Sequence, residues 1–152
     1  MVSVGRPAES LALLKPLETG TQASPYGAMW VAATRTCAFY ALGQTQEAIQ
    51  AKAYVSAHAA DNASAVINTA LCANDLDAAA AAIIAQLENP ETRSDTLFRL
   101  SRYKQAKLTP NGIELSRRIE ALRVRVDIQA AVARVGRLET VPLFGGPLGA
   151  GF

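Results

Sequence analysis

Leu42–Asp61 reads LGQTQEAIQAKAYVSAHAAD and Cys72–Glu91 reads CANDLDAAAAAIIAQLENPE, so the chain states one pattern twice: a turn signal, then an apolar-periodic helix. Setting Gly43 against Asn74 also sets Ala48 against Ala79, an offset of 31 residues. A period in the range of about 20–50 residues is the signature of stacked supersecondary units. The pattern predicts an all-α chain of tandem antiparallel helical hairpins, arranged as an array or a compact helical bundle.

Composition agrees with that architecture. A chain of 152 residues, half of them apolar and 6% aromatic, can bury a core without a metal or a disulfide. Its apolar set is dominated by Ala, the strongest helix former, which favours close helix pairs over a wide core. No series of alternating segments with hairpin turns points to a sandwich or barrel.

Net charge is +2, but the two halves differ in sign. Up to Glu91 there are four basic and eight acidic residues, a net −4, whereas Arg93 onward carries eleven basic and five acidic residues, a net +6. Such asymmetry marks either an anionic partner or two parts of one molecule that attract each other. MVSVGRPAES lacks the apolar core of a signal peptide and no run reaches the length of a membrane span, so a soluble chain of unassigned compartment is expected.

In chain order, residues 1–25 should contain a short helix, Val4 to Leu17, ended by Pro16, and then a loop. Residues 26–137 form the helical repeat domain. A helix from Tyr26 to Leu42 carries Met29, Ala33, Thr36, Phe39 and Tyr40 at helical spacing, with Gly43 as its left-handed stop. Gln46–Ala59 follows with Ala48, Ala51, Val55 and Ala59 on one face. Asp61 or Asn62 caps Ala63–Ala73, which buries Val66, Ile67, Ala70 and Leu71. After Asn74-Asp75, the stripe Leu76, Ala80, Ile83 and Leu87 defines a helix stopped at Asn89-Pro90. A fifth helix, Glu91 to Gln105, turns Leu97, Leu100 and Tyr103 inward. Leu115, Ile119, Leu122 and Val126 line the next, and Asp127 caps Ile128–Val135, closed by Gly136. The segment RVRVD alternates like a strand but reads as a helix joint. Residues 138–152 are a Gly/Pro-rich tail without regular structure. Its terminal Phe does not signal an outer-membrane barrel, because GGPLGAGF lacks the required alternation.

Ala41-Leu42-Gly43-Gln44-Thr45-Gln46-Glu47-Ala48-Ile49 resembles the inter-helix turn of a tetratricopeptide repeat, in which a small residue, an acid and an Ala-apolar pair open the second helix. Asn74-Asp75-Leu76-Asp77-Ala78-Ala79 resembles the same turn, and ENP ends its helix where such repeats carry an acid and Pro. The resemblance covers about Tyr26 to Glu91. It departs from the family in its first helices, where Trp30 is displaced toward the N-terminus and Arg35 and Thr36 replace the expected Leu and Gly. The period is also shorter than the family's, about 34 residues. What the resemblance implies is a right-handed array of helical repeats that binds protein or peptide, as the C-terminal part of a larger array.

Chemistry-bearing constellations are sparse. Cys37 and Cys72 match neither C-x-x-C nor a metal spacing, and His58 sits among alanines, so two small buried thiols and a surface histidine are expected rather than a catalytic pair. Asp75 and Asp77 stand at a helix start, where the macrodipole favours anions. Phosphate-binding glycine motifs, H-E-x-x-H and G-x-S-x-G do not occur. No catalytic residue, cofactor or metal is therefore expected. Arg117, Arg118, Arg123 and Arg125 are the candidate polyanion contacts, although Glu114, Glu120 and Asp127 stand at ion-pair spacings from them. Trp30, Phe39, Tyr40 and Tyr54 are the aromatics expected to rim a partner groove.

These readings lead to a non-catalytic scaffold that binds a protein or peptide across at least two hairpins rather than through the tail. The alternative is a small helical regulator that uses its basic half on nucleic acid or another polyanion. An enzyme accessory subunit is a third reading. Leu76, Ile83 and Leu87 should be buried in any of them.

Overall fold

The computed structural model describes residues 5–19, 24–104 and 109–144. Among them the fold is all-α, with α1 (Pro7–Thr19), α2 (Pro25–Ala41), α3 (Thr45–Ala57), α4 (Ala63–Cys72), α5 (Leu76–Glu88), α6 (Arg93–Leu100), α7 (Pro110–Arg123) and α8 (Val126–Val135). Short strands β1 (Arg102–Lys104) and β2 (Thr140–Phe144) pair in parallel. No described helix is long and apolar enough to cross a membrane.

The repeated turn recurs in three dimensions. Gly43 and Asn74 both take a left-handed conformation, with φ of 71° and 57°. In the first turn Gln44 N donates to Phe39 O and Gly43 N to Tyr40 O; in the second Asp75 N donates to Ala70 O and Asn74 N to Leu71 O. Both are the six-to-one and five-to-two closures that satisfy the last carbonyls of a helix. Asp75 and Asn62 then cap α5 and α4 through Ala78 N (3.1 Å) and Ala65 N (3.0 Å).

α2 and α4 lie side by side and run parallel. Asn62, the cap of α4, donates to Tyr26 O in the first turn of α2, while at the other end Cys37 and Cys72 are joined by a disulfide with Cα atoms 5.1 Å apart. This corrects the expectation of two free thiols: a sequence separation of 35 residues is closed because two parallel helices bring equivalent turns together. Bridging a loop of that length contributes about 4 kcal/mol through the unfolded chain.

The core has two parts that share α4. Ala65 joins Met29, Ala33 and Val55, with Trp30 and Val66 packed against them. From the same helix Ile67, Ala70 and Leu71 join Ala80, Ile83 and Leu87 of α5, Leu100 of α6, Ile119 and Leu122 of α7, and Ile128 and Val132 of α8. Parallel packing of α5 and α8 is reported at both ends, by Arg125 on Asp77 (2.7 Å) and Arg134 on Glu88 (3.0 Å). Gly136 ends α8 where Leu97 approaches so closely that a Cβ would lie 2.8 Å from its Cδ1.

Several sequence-based expectations need correction. Pro16 does not end α1, which continues to Thr19; a proline costs one hydrogen bond, and the few residues after it can still use the carbonyls before it. Leu76 and Val66 are only half-buried, and Ala59 leaves α3 for a 3-10 turn over Ala59–Asp61. Val126 is 85% exposed, because α7 stops at Arg123 and the RVRVD segment is indeed a helix joint, with Arg125 in an extended conformation. The fifth helix ends at Leu100, not Gln105, and Tyr103 lies on β1.

The expected structureless tail begins with a strand. Arg102 N donates to Glu139 O at 2.8 Å and Glu139 N to Ser101 Oγ at 3.1 Å, which lays the chain beside β1, while Leu138 packs on the larger core. Thr-Val-Pro-Leu-Phe then pairs as β2, and a lone proline is tolerated on a strand with a free edge. The expected start at Val4, the end at Gln105 and GGPLGAGF lie outside the described residues.

Ile83 is 1% exposed at the centre of an alanine-rich neighbourhood. Ile83→Ala should lower the unfolding free energy by about 2–4 kcal/mol, read from urea unfolding followed by circular dichroism. A loss below about 0.5 kcal/mol would contradict this packing.

Candidate functional site

The basic half of the chain closes the ends of the helices before it. A helix leaves its last four carbonyls without intrahelical donors, at the negative end of its dipole. Arg118 of α7 donates to Leu71 O (2.6 Å) and Cys72 O (3.1 Å) at the end of α4. Arg93 reaches Leu87 O (3.0 Å) and Glu88 O (3.3 Å) at the end of α5. Arg123 donates to Leu100 O (2.6 Å) and Ser101 O (2.9 Å) at the end of α6.

Arg123 is the most enclosed of these, 1% exposed and in contact with Glu120. α6 ends at Leu100 because Ser101 is extended and the Arg102 amide donates to Glu139 O instead of back into the helix. Burial pulls the Arg123 guanidinium below the ordinary value while Glu120 opposes the change. Burial pushes the Tyr103 phenol up, with Arg123 acting against it, and its hydroxyl donates to Phe98 O at 3.0 Å.

The other candidate arginines also have protein acceptors. Arg117 pairs with Glu114 at 2.9 Å on an exposed surface, and Arg118 shares that carboxylate at 3.2 Å. Arg125 bridges Asp127 and Asp77, which raise its pKa in that order. Of the spacings noted in the sequence, Glu114 with Arg118 and Glu120 with Arg123 form, whereas Asp127 takes Arg125 instead. Asp75 caps α5 and holds Lys52 at 2.8 Å. The Lys52 ammonium, then the Ala78 amide, lowers its pKa against a desolvation cost.

The four aromatics stand on the first hairpin. Trp30 is half-buried against the Met29 cluster. Phe39 and Tyr40, also half-buried, lie near the end of α2, with the Arg35 guanidinium 5.7 Å from the centre of the Phe39 ring. Tyr54 is 42% exposed and stacks on His58 at 4.1 Å. Nine residues at about 100° each place Trp30 and Phe39 on opposite sides of α2, so the four do not share one face.

Register explains the exposure at the end of α2. The disulfide pairs positions 35 residues apart, but the two turns repeat after 31. The first hairpin therefore overhangs the second by about four residues, or about 6 Å of helix. That overhang carries Phe39, Tyr40 and the exposed Leu42. The chain matches no protein-family model, no curated protein and no solved structure.

Sequence reasoning did not find Arg93 as a cap or the Cys37–Cys72 bond. Arg123 was legible in principle, since Ile119, Leu122 and Arg123 stand at i, i+3 and i+4 and share the inward face.

Arg123→Ala leaves two carbonyls and a large volume unfilled, and should cost about 2–4 kcal/mol, whereas Arg117→Ala should stay within about 0.5 kcal/mol. Chemical denaturation of both variants checks the contrast; equal effects would contradict it. Asp75→Asn keeps a capping oxygen but removes the charge. A lowered folded pKa contributes stability above the unfolded value of about 3.9 and loses it as pH falls through the folded value. Asp75→Asn should thus be less stable than the parent at pH 6, with the gap in melting temperatures closing as pH falls below about 4. A gap unchanged across that range would count against the Lys52 pairing.

Proposed function

We propose that this chain is a non-catalytic, tetratricopeptide-like helical scaffold that binds a protein or peptide along its hairpins. The observation that carries the reading is the pair of turns with one hydrogen-bond pattern, placed at the ends of two first helices that run parallel. Stacked hairpins in that relation present a continuous surface whose side chains are ordered before a partner arrives. The α2 overhang supplies Phe39 and Tyr40, partly covered by their own fold and free to bury further area, and Tyr54 stands on the adjoining helix. Aromatic side chains of this kind are the usual anchors of an interface.

Intramolecular use of the arginines favours this reading over binding of a polyanion. Arg118, Arg123 and Arg125 would have to leave carbonyls or carboxylates to which they already donate. Only Arg117 among the four candidates is mostly exposed, and it faces Glu114.

Peptides selected on the intact oxidised protein from a random display library should bind with an affinity that Tyr40→Ala and Tyr54→Ala each lower by about tenfold or more. Raising salt from 50 to 200 mM should change it less than about threefold, whereas a surface making several phosphate contacts loses about a thousandfold. Selection of nucleic acid with that steep salt dependence, unaffected by the tyrosine variants, would overturn the proposal.

A further inference from the structure

The two parts of the core differ in size and in what fastens them. The larger part holds thirteen buried residues from α4 through α8, and the smaller holds four, two of them alanine, from α2, α3 and α4. α4 belongs to both, but its Ile67, Ala70 and Leu71 side and its Arg118-capped end tie it to the larger part. Beside the small cluster, the polar and covalent ties of α1–α3 to the rest include the partly exposed Lys52–Asp75 pair, the 3.3 Å bond from Asn62 to Tyr26 O, the Asn68 amide on the Cys37 sulfur, and the Cys37–Cys72 disulfide.

We propose that this disulfide is a redox latch: its reduction lets α1–α3 open as a unit while α4–α8 stay folded. A region with few buried apolar contacts opens at lower free energy than a region with many, so loss of a covalent tie is felt first on the smaller side. The bond stands across the joint between the two parts rather than inside either one. Cys72 is the more accessible of the two residues, half-buried where Cys37 is 5% exposed.

A dithiol reductant provides the chemistry. Its thiolate attacks the Cys72 sulfur, a mixed disulfide forms as the Cys37–Cys72 bond breaks, and Cys37 leaves as a thiolate that takes a proton. The second thiolate of the reductant then attacks its own sulfur in the mixed disulfide and releases Cys72, which is protonated in turn. Two electrons pass to the protein and the dithiol becomes a cyclic disulfide. The latch is independent of what the surface binds, so it stands or falls apart from the scaffold reading.

Hydrogen exchange read by mass spectrometry on the full chain, air-oxidised and then treated with dithiothreitol, tests the proposal. Amides of α2 and α3 should exchange at least tenfold faster after reduction, and those of α5, α7 and α8 within twofold of their oxidised rates. Cys37→Ser combined with Cys72→Ser should reproduce the reduced pattern without reductant. If that variant does not fold, the comparison on the folded parent, reduced in place, still decides. Unchanged exchange in α2 and α3, equal acceleration throughout, or two titratable thiols in the air-oxidised protein would each overturn the proposal.

Discussion

The structure depends on α4 being buried on more than one side. A ten-residue helix is too short to hold itself together, and AVINTALC is apolar or small at almost every position. That composition lets Ala65 close the small cluster while Ile67, Ala70 and Leu71 enter the large one. Both ends are then fixed from outside: Asn62 links its start to Tyr26, and Arg118 with the Cys72 sulfur holds its finish. Remove the double burial and the two parts of the molecule have no common element.

Charge asymmetry follows from the same need. α4 and α5 have no basic residue in their last turns, so side chains from elsewhere meet the dipole ends and the carbonyls of Cys72, Leu87 and Glu88 that follow those closed by the backbone. Arg118 and Arg93 do this, and Arg125 and Arg134 align α8 along α5 through Asp77 and Glu88. The excess of acid before Glu91 and of base after Arg93 is in large part the chain recognising itself. Exposed pairs contribute little each; the buried carbonyl contacts matter more, because their loss leaves acceptors dry.

Periodicity carried most of the helices. Gly43, Asn74, Asn62 and Asp75 mark their boundaries because turns and caps are local chemistry, and Ala80, Ile83 and Leu87 mark a buried face because helical spacing is local too. What failed was non-local. Leu100 is in a helix that stops where the Arg102 amide turns to Glu139 O, far along the chain, and Thr140–Phe144 becomes a strand through a pairing with Arg102–Lys104. Glycine and proline density around the strand argued for a tail, and a strand of five residues gives too short a pattern to outweigh it. The disulfide escaped for the same reason, since spacing rules describe neighbours in sequence and these cysteines are neighbours only across two helices. Among the candidate aromatics, spacing along α2 could already have separated Trp30 from Phe39.

Two registers coexist in the paired hairpins, and their difference shapes the surface. Turn chemistry repeats every 31 residues, yet the α2–α4 contact is set by residues 35 apart at one end and 36 apart at the other. A strict repeat would make these equal and bring the turns level. Because helical rise is fixed at about 1.5 Å per residue, a mismatch of four or five residues has to appear as about one turn of α2 without α4 beside it. The cost is a half-covered Tyr40 at the end of α2, which a level pair of hairpins would bury further. Closing the gap needs no rearrangement of the core: a third body laid against the last turn of α2 would cover Tyr40, which stands three residues beyond Cys37 on the face that α4 leaves.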